Sequence, residues 1–408
     1  MMNTHYVVEQ AARDSYGRLV AYLAVRWRDL AAAEDALADA FLAALETWPH
    51  SGVPDKPEAW LLTTASRRLI DGARRARVHA KAAPDLLAIA EEARELSSSD
   101  DALPDERLRM LFICAHPEIE PNVRTPLMLQ TVLGIDAARI ASAFVVKPST
   151  MGQRLSRAKM KLRGKHIKFE FPAENELPDR LNAVLEAIYA AYGSGWDDVA
   201  GVEPRRKGLA EEAVYMVRLL LRFMPGQPEV QGLLALMLYC EARRDARRDQ
   251  KGNYIPLLEQ DCSLWSQRII NEAERCLGSA AQAGSIGRFQ LEAAIQSVHA
   301  QRAWSGRTEW EEIALLYEGL VAIAPTIGAL VGRAAAVAEA RGADWGLTLL
   351  EAIPDDAVKS YQPYWALTAH LFKRMQRYDE ARAAYSRAIG LCTDPSIRDF
   401  LKEQACRV

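Results

Sequence analysis

Gly134–Lys165, GIDAARIASAFVVKPSTMGQRLSRAKMKLRGK, decides how this chain is read. The stretch predicts two helices joined by a tight turn. Asp136 to Phe144 carries apolar residues at Ile140, Ala141 and Phe144, and Val145-Val146-Lys147 turns the chain. Pro148 suits the first turn of a new helix, where its missing N–H has no partner to lose. In that helix Met151, Leu155, Ala158 and Leu162 fall 4, 3 and 4 apart, one stripe for burial. Thr150, Arg154, Arg157 and Lys161 repeat the spacing about a quarter turn away, with Gln153 beside them. From Ser149 to Lys168 there are seven Lys/Arg and no Asp/Glu. A narrow apolar stripe next to a basic one suits a helix in a major groove, where phosphates give affinity and base edges give choice. The competing reading is a solvated basic helix on an ordinary bundle.

The rest of the composition narrows the class. A chain of 408 residues predicts two to four domains with ample core. No run approaches the ~18 apolar residues of a membrane span; Leu233 to Cys240 is the longest candidate. The start, MMNTHYVVEQ, lacks a basic-then-apolar signal. Six cysteines at 114, 240, 262, 276, 392 and 406 form no CxxC pair. That argues against a zinc knuckle or a disulfide framework and predicts a cytoplasmic protein with no metal and no cofactor. Cys114 and His116 read as structural, since no further ligands stand at matching spacing. The net charge of −3 is uneven: residues 1–168 carry +3 and the remainder −6. Arg67 to Lys81 holds six basic residues and one acid, Asp71. Two basic elements in the first 170 residues point to two contacts with one nucleic acid.

Upstream, residues 6–27 predict one amphipathic helix. A second starts after Asp29, an N-cap, and is expected to stop at Trp48 before Pro49. On it Leu30, Leu37, Phe41, Ala44 and Trp48 share a face; Asp35, Asp39, Leu42 and Glu46 share the opposite one. An acidic stripe containing a leucine is a docking surface for a basic partner, or simply a solvated face with one stray leucine. After the Pro- and Gly-rich loop 49–57 comes WLLTTASRRLIDGARRAR. Leu62, Ala65, Leu69 and Ala73 line one side; Trp60, Thr64, Arg67, Asp71, Arg74 and Arg75 line the other. Cations interleaved with an aromatic ring suit single-stranded nucleic acid, charge for the backbone and a ring for a base. Alternatively Trp60 folds back under the loop and the arginines are only solvated.

Three ordered blocks, AEDALADAFLAALETW (33–48), WLLTTASRRLIDGARR (60–75) and STMGQRLSRAKMKLR (149–163), resemble bacterial sigma factors of the extracytoplasmic-function type. The resemblance implies an all-α protein. It would have a first sigma domain over 1–82, a linker over 83–104, and a second sigma domain with a helix-turn-helix over 105–168. It implies that Asp35, Asp39, Phe41 and Leu42 dock on the β′ clamp of core RNA polymerase, with β as a further contact. Trp60, Arg67, Arg68, Arg74 and Arg75 would open and read the −10 promoter element as single strand. Thr150, Gln153, Arg154, Arg157 and Lys161 would read the −35 element as duplex. The chain departs from the family pattern at Ala65-Ser66-Arg67, where Ala-Arg-Asn is usual, and at Gly152, which weakens its helix by roughly 1 kcal/mol relative to alanine or admits a phosphate closely.

Pro84 to Glu95 predicts a short helix, and Ser97-Ser98-Ser99-Asp100-Asp101 a polar linker. Beyond 168 the chain continues for 240 residues. Leu181–Tyr192, Leu209–Phe223 and Val230–Arg244 predict helices, the first bounded by Gly193-Ser194-Gly195; the segment 169–285 is a helical extension. Arg243, Arg244, Arg247 and Arg248 form a basic cluster that would bind an acidic partner or a phosphate, or sit as a solvated loop. Over 286–408, Trp365, Phe372, Ala381, Tyr385 and Ala388 stand at tetratricopeptide-repeat offsets, and Ile313, Tyr317, Leu320 and Pro325 fit an earlier repeat. A repeat solenoid presents a surface for an intramolecular or protein partner, or serves structure alone. Strings such as EVQGLLALMLYCEARRDARRD resemble a subgroup of these sigma factors with a repeat-bearing extension that tunes activity. Two other classes compete. An ordinary DNA-binding regulator with a repeat-built sensor would share 134–165 but needs neither the acidic stripe nor the second basic helix. An enzyme is disfavoured: no phosphate-binding loop, no H-E-x-x-H and no clustered nucleophile and base occur, and Glu292 and His299 read as packing residues.

Overall fold

In the computed structural model, which describes residues 4–75, 105–144, 146–164, 167–196 and 209–408, regular structure is helical apart from one isolated bridge, Arg248 to Tyr254. The expected linker 83–104, its short helix at 84–95 and the basic residues 76–81 lie outside the described residues. The chain folds as two compact units, Met1–Met216 and Val217–Val408.

The first unit opens with α1 (Thr4–Trp27), α2 (Leu30–Ser51) and α3 (Pro57–Arg75), each packed on the other two. Asp29 caps α2 by accepting the Ala32 amide at 3.1 Å. Leu30, Leu37, Ala44 and Trp48 are buried as the spacing predicts, whereas Phe41 is half-buried. The helix does not stop at Trp48. It runs through Pro49 to Ser51 and closes where the Gly52 amide, at φ +85°, donates to the Trp48 carbonyl. Proline removes one backbone donor, but the fully buried Trp48 just before it holds the last turn in place. Ser15 and Arg18 of α1 both donate to Glu58 in the first turn of α3, tying the start of α3 to the middle of α1.

The described residues then form α4 (Arg107–Cys114), α5 (Pro121–Leu133), α6 (Ala137–Ala143) and α7 (Pro148–Leu162). Gly134 ends α5 in the left-handed region, with the Ile135 amide returning to Leu129. Asp136 then accepts the Arg139 amide at 2.9 Å and starts α6. Pro148 stands in the first turn of α7. Met151, Leu155, Ala158 and Leu162 are all buried, so the stripe read from the spacing is the packed face of α7. Ile140 and Ala141 are buried with it, while Phe144 is exposed.

α5 is the shared wall of this unit. α1, α4, α6, α7 and α8 (Leu177–Trp196) all pack on it. The approach of α1 is close: a Cβ on Gly17 would stand 2.0 Å from the Val132 carbonyl oxygen. α8 adds Val184, Leu185, Ile188, Ala191 and Tyr192 to the buried set, and Arg180 at its start donates to the Phe112 carbonyl of α4. The helix passes through Gly193-Ser194-Gly195 rather than ending before it; packing of the preceding turns outweighs glycine's helix cost. Arg107, itself buried, bonds Asp105 at 2.7 Å and Glu212 of α9 (Leu209–Phe223), with Tyr215 5.4 Å from its guanidinium.

The second unit centres on α10 (Pro228–Ala242), apolar on all sides and buried from Leu233 to Tyr239. α11 (Gln267–Ala281) and α12 (Arg288–Ala300) pack on it. Glu229 accepts the Phe289 and Gln290 amides at 3.0 and 3.1 Å, capping α12 from another helix. From there α13 (Trp310–Ile323), α14 (Ile327–Arg341), α15 (Ala343–Glu351), α16 (Gln362–Arg374), α17 (Tyr378–Leu391) and α18 (Pro395–Cys406) pack in sequence on their chain neighbours. Ala381, Tyr385 and Ala388 are buried; Trp365 and Phe372 pack partly buried on adjoining clusters.

The packing makes stability testable at two glycines and one histidine. Gly17→Ala costs about 1–3 kcal/mol through overpacking against Val132, whereas Gly152→Ala, with nothing within 4 Å of its Cβ, gains up to about 1 kcal/mol; urea unfolding of both variants checks the contrast. Burial, helped by Arg243 and Arg302, pushes the His299 imidazole down to about 4 from 6.5. The unfolded chain therefore binds a proton that the fold refuses. Stability supplied by neutral His299 is present above pH 6.5 and lost as pH falls toward 4, about 3 kcal/mol in all. Unfolding midpoints across that window lose this slope in His299→Phe.

Candidate nucleic-acid and polymerase interface

The loop after α2 and the outer face of α3 enclose a cleft of about 540 Å³ lined by Pro54, Asp55, Lys56, Ala59, Trp60, Thr63, Thr64 and Arg67. Its volume lies in the range of small-ligand clefts, ~300–1,000 Å³. Trp60 is half-buried because its ring meets Trp48 edge to face, with centroids 5.4 Å apart. That contact fixes the indole at the cleft wall. Trp60 is therefore anchored on the bundle and still lines open space. Leu62, Ala65 and Leu69 form the buried side of α3, and Arg67 and Arg68 are exposed. Arg68 reaches Asp39 of α2 at 3.9 Å, so two residues expected to serve different partners face each other. The side chains of Arg74 and Arg75 lie outside the described residues. A ring, two hydroxyls and cations around a cleft suit an unstacked base and its phosphate.

On α2, Asp35, Asp39, Leu42 and Glu46 are all exposed, Leu42 at 58%. The stripe is an acidic surface with an exposed apolar centre. On α7, Gln153, Arg157 and Lys161 are exposed, and Thr150 and Arg154 are partly so. Lys161 pairs with Glu120 at 3.4 Å. Arg154, Arg157 and Lys161 line a small cavity of about 50 Å³ with Ile119, Glu120, Val123 and Ala158.

Two contacts between α2 and the end of α7 escaped the sequence reading. Lys159 Nζ lies 2.6 Å from Glu34 Oε2, each side chain only 15% exposed, and Arg163 lies 3.0 Å from Asp29 Oδ2. Burial pushes the Glu34 carboxyl up, against the pull of Lys159. The spacing gave a signal. Glu34 precedes the exposed Asp35 and stands next to buried Ala33, so it lies at the edge of the stripe.

Several other candidates have partners within the protein. Cys114 is buried, and the His116 Nδ1 accepts the Glu118 amide at 3.1 Å. Glu292 pairs with Arg288, while His299 packs edge-on against Trp310. In the basic cluster, Arg244 bonds Glu241 and Arg248 bonds Asp394. Among the described residues no group of three His, Cys, Asp or Glu is placed to hold a metal ion, and no helix is long and apolar enough to cross a membrane.

Comparison with known proteins identifies parts of the chain. Residues 13–78, which contain α2, α3 and the cleft, match sigma-70 region 2. Residues 180–281 match a family of unknown function, DUF6596. No solved structure matches the chain. An uncharacterized protein of Rhizobium meliloti (strain 1021) is 34% identical over 398 residues, 97% of this chain and 93% of that protein. A sigma-70 region 2 domain implies core RNA polymerase and promoter DNA as partners and a role in transcription initiation. The chain belongs to the family of this rhizobial relative, and it joins a sigma-70 region 2 domain to a DUF6596 region.

Proposed function

We propose that the protein is an extracytoplasmic-function sigma factor, a promoter-specificity subunit of RNA polymerase without catalysis of its own. The observation that carries this reading is the cleft on α3, where Trp60 is anchored by Trp48 beside Thr63, Thr64 and Arg67, within the segment matched to sigma-70 region 2. An unpaired base of the −10 element enters that cleft, stacks on Trp60 and has its backbone neutralised by Arg67, with Arg68, Arg74 and Arg75 continuing the track. Asp35, Asp39, Phe41 and Leu42 of α2 dock on the β′ clamp of core polymerase. α7 enters the major groove of the −35 element as the second helix of a helix-turn-helix, reading it with Thr150, Gln153, Arg154, Arg157 and Lys161. The extension beyond residue 168, with a repeat-like second half, adjusts this activity through an intramolecular or protein contact. The exposed acidic stripe supports a polymerase subunit over a free-standing DNA-binding regulator, which has no use for it.

Binding and assembly test the reading separately. Trp60→Ala weakens single-stranded −10 binding by about 1–3 kcal/mol, the worth of one stacked base. Arg154→Ala and Arg157→Ala weaken duplex −35 binding instead; equal losses on every sequence assign them to phosphate only. Charge reversal at Asp35 and Asp39 abolishes co-elution with core polymerase. It leaves unfolding unchanged, because the Asp39–Arg68 pair is exposed on both sides and such pairs contribute ~0–1 kcal/mol. Normal assembly of that variant removes the stripe from the interface.

A further inference from the structure

Arg243, at the end of α10, differs from its neighbours Arg244 and Arg248. Those two pair with Glu241 and Asp394. Among the described residues, Arg243 bonds only the Cys240 sulfur, 3.8 Å from Nη2. A second guanidinium stands in the same part of the second unit. Arg302, in the short helical turn Arg302–Ser305 after α12, donates from Nη1 to the Leu258 carbonyl at 2.6 Å and from Nη2 to the Gln260 carbonyl at 3.0 Å. Its Nε lies 3.3 Å from the Cys262 sulfur. The Trp265 ring centroid is 5.2 Å from its guanidinium, and the Trp265 indole N–H is buried without a hydrogen-bond partner. The Ser266 amide donates to the Ala242 carbonyl at 2.7 Å, which brings this loop to the root of Arg243. Burial first, and then the charges of Arg243 and Arg302, hold the imidazole of His299 at the end of α12 neutral, so both guanidiniums lie near it.

Neither guanidinium has a carboxylate partner among the described residues. The carboxylates of adjoining helices are engaged elsewhere: Glu241 with Arg244, Glu292 with Arg288 and Glu274 with the Ser297 hydroxyl. The carbonyl ends of α10 and α12 offer about half an elementary charge each, less than the two arginines carry. Like charges held near one another without a counter-ion repel, and an anion beside them relieves that cost. We propose that Arg243, Arg302 and His299 form a binding site for a phosphate group, either free or carried on a small phosphomonoester.

The chemistry selects phosphate. Guanidinium N–H groups match its oxygens, and two guanidiniums match its double charge. A carboxylate, with one charge and two oxygens, would leave one arginine unmet. Arg302 spends three of its five N–H donors on the loop and Arg243 spends one on sulfur, so both keep donors for a ligand. The neutral imidazole of His299 adds one more. The loop carbonyls hold Arg302 in place, so little side-chain freedom is lost when the anion arrives. Arg243, His299 and Arg302 are each half-buried, which leaves the group open to a small solute. The site lies wholly within the second unit and does not depend on the role assigned to the first.

The test is calorimetric titration of the full chain with inorganic phosphate and, separately, with ribose 5-phosphate, in chloride at constant ionic strength. Saturable binding is expected. Arg243→Gln weakens it about tenfold or more, the worth of a hydrogen bond to a charged group, and Arg243→Lys recovers part of the loss. Affinity for inorganic phosphate at least equal to that for ribose 5-phosphate assigns the site to free phosphate; tighter ribose 5-phosphate assigns it to a phosphomonoester. In the wild-type chain the His299 ring resonance, identified by its loss in His299→Phe, moves as phosphate saturates. That measurement decides the question where Arg243→Gln fails to fold. Absence of saturable binding of either probe, binding that Arg243→Gln leaves unaltered, or an unmoved His299 resonance overturns the site.

Discussion

The close contact between α1 and the end of α5 sets the geometry of the first unit. Gly17 presents no side chain to Val132, and only that absence lets the two backbones approach so nearly. With α1 seated there, α5 becomes a wall that α4, α6, α7 and α8 also use. The position of the basic helix follows from this arrangement. α7 buries its Met151–Leu162 stripe on the same body that carries α2 and α3, and its cations meet the α2 carboxylates as a result.

The same packing sets up the two sites to which the proposed function assigns nucleic-acid chemistry. The cleft on α3 needs a rigid ring, and the Trp48–Trp60 contact supplies one by rooting a half-exposed indole in the buried bundle. α7 needs a rigid helix with a narrow apolar seam, and four buried side chains supply it. Charge is managed locally. Arg68 meets Asp39 and Lys161 meets Glu120, so the surfaces that would bind DNA are partly neutralised in the isolated protein. Exposed pairs of this kind are cheap to exchange for phosphate.

Periodicity made the faces legible. The buried stripe of α7, the Asp29 cap, Pro148 in the first turn of α7 and the buried Ala381, Tyr385 and Ala388 were all readable, because each depends on spacing within one helix. What spacing cannot give is the partner across the interface. Glu34 differs from Asp35 by one residue, yet one is buried against Lys159 and the other faces outward. Asp55 and Lys56 of the cleft sit on a loop with no period to read. Local rules also erred where packing overrode them: α2 continues through Pro49, and α8 continues through Gly193-Ser194-Gly195.

Under the proposed function, the protein grips a promoter at one strand-separated and one paired site and needs polymerase to do so. The direct measurement is in vitro transcription with core polymerase on a library of genomic promoter fragments. The account predicts RNA with defined start sites that depends on the full-length protein and on Trp60. Absence of protein-dependent RNA from every fragment contradicts it.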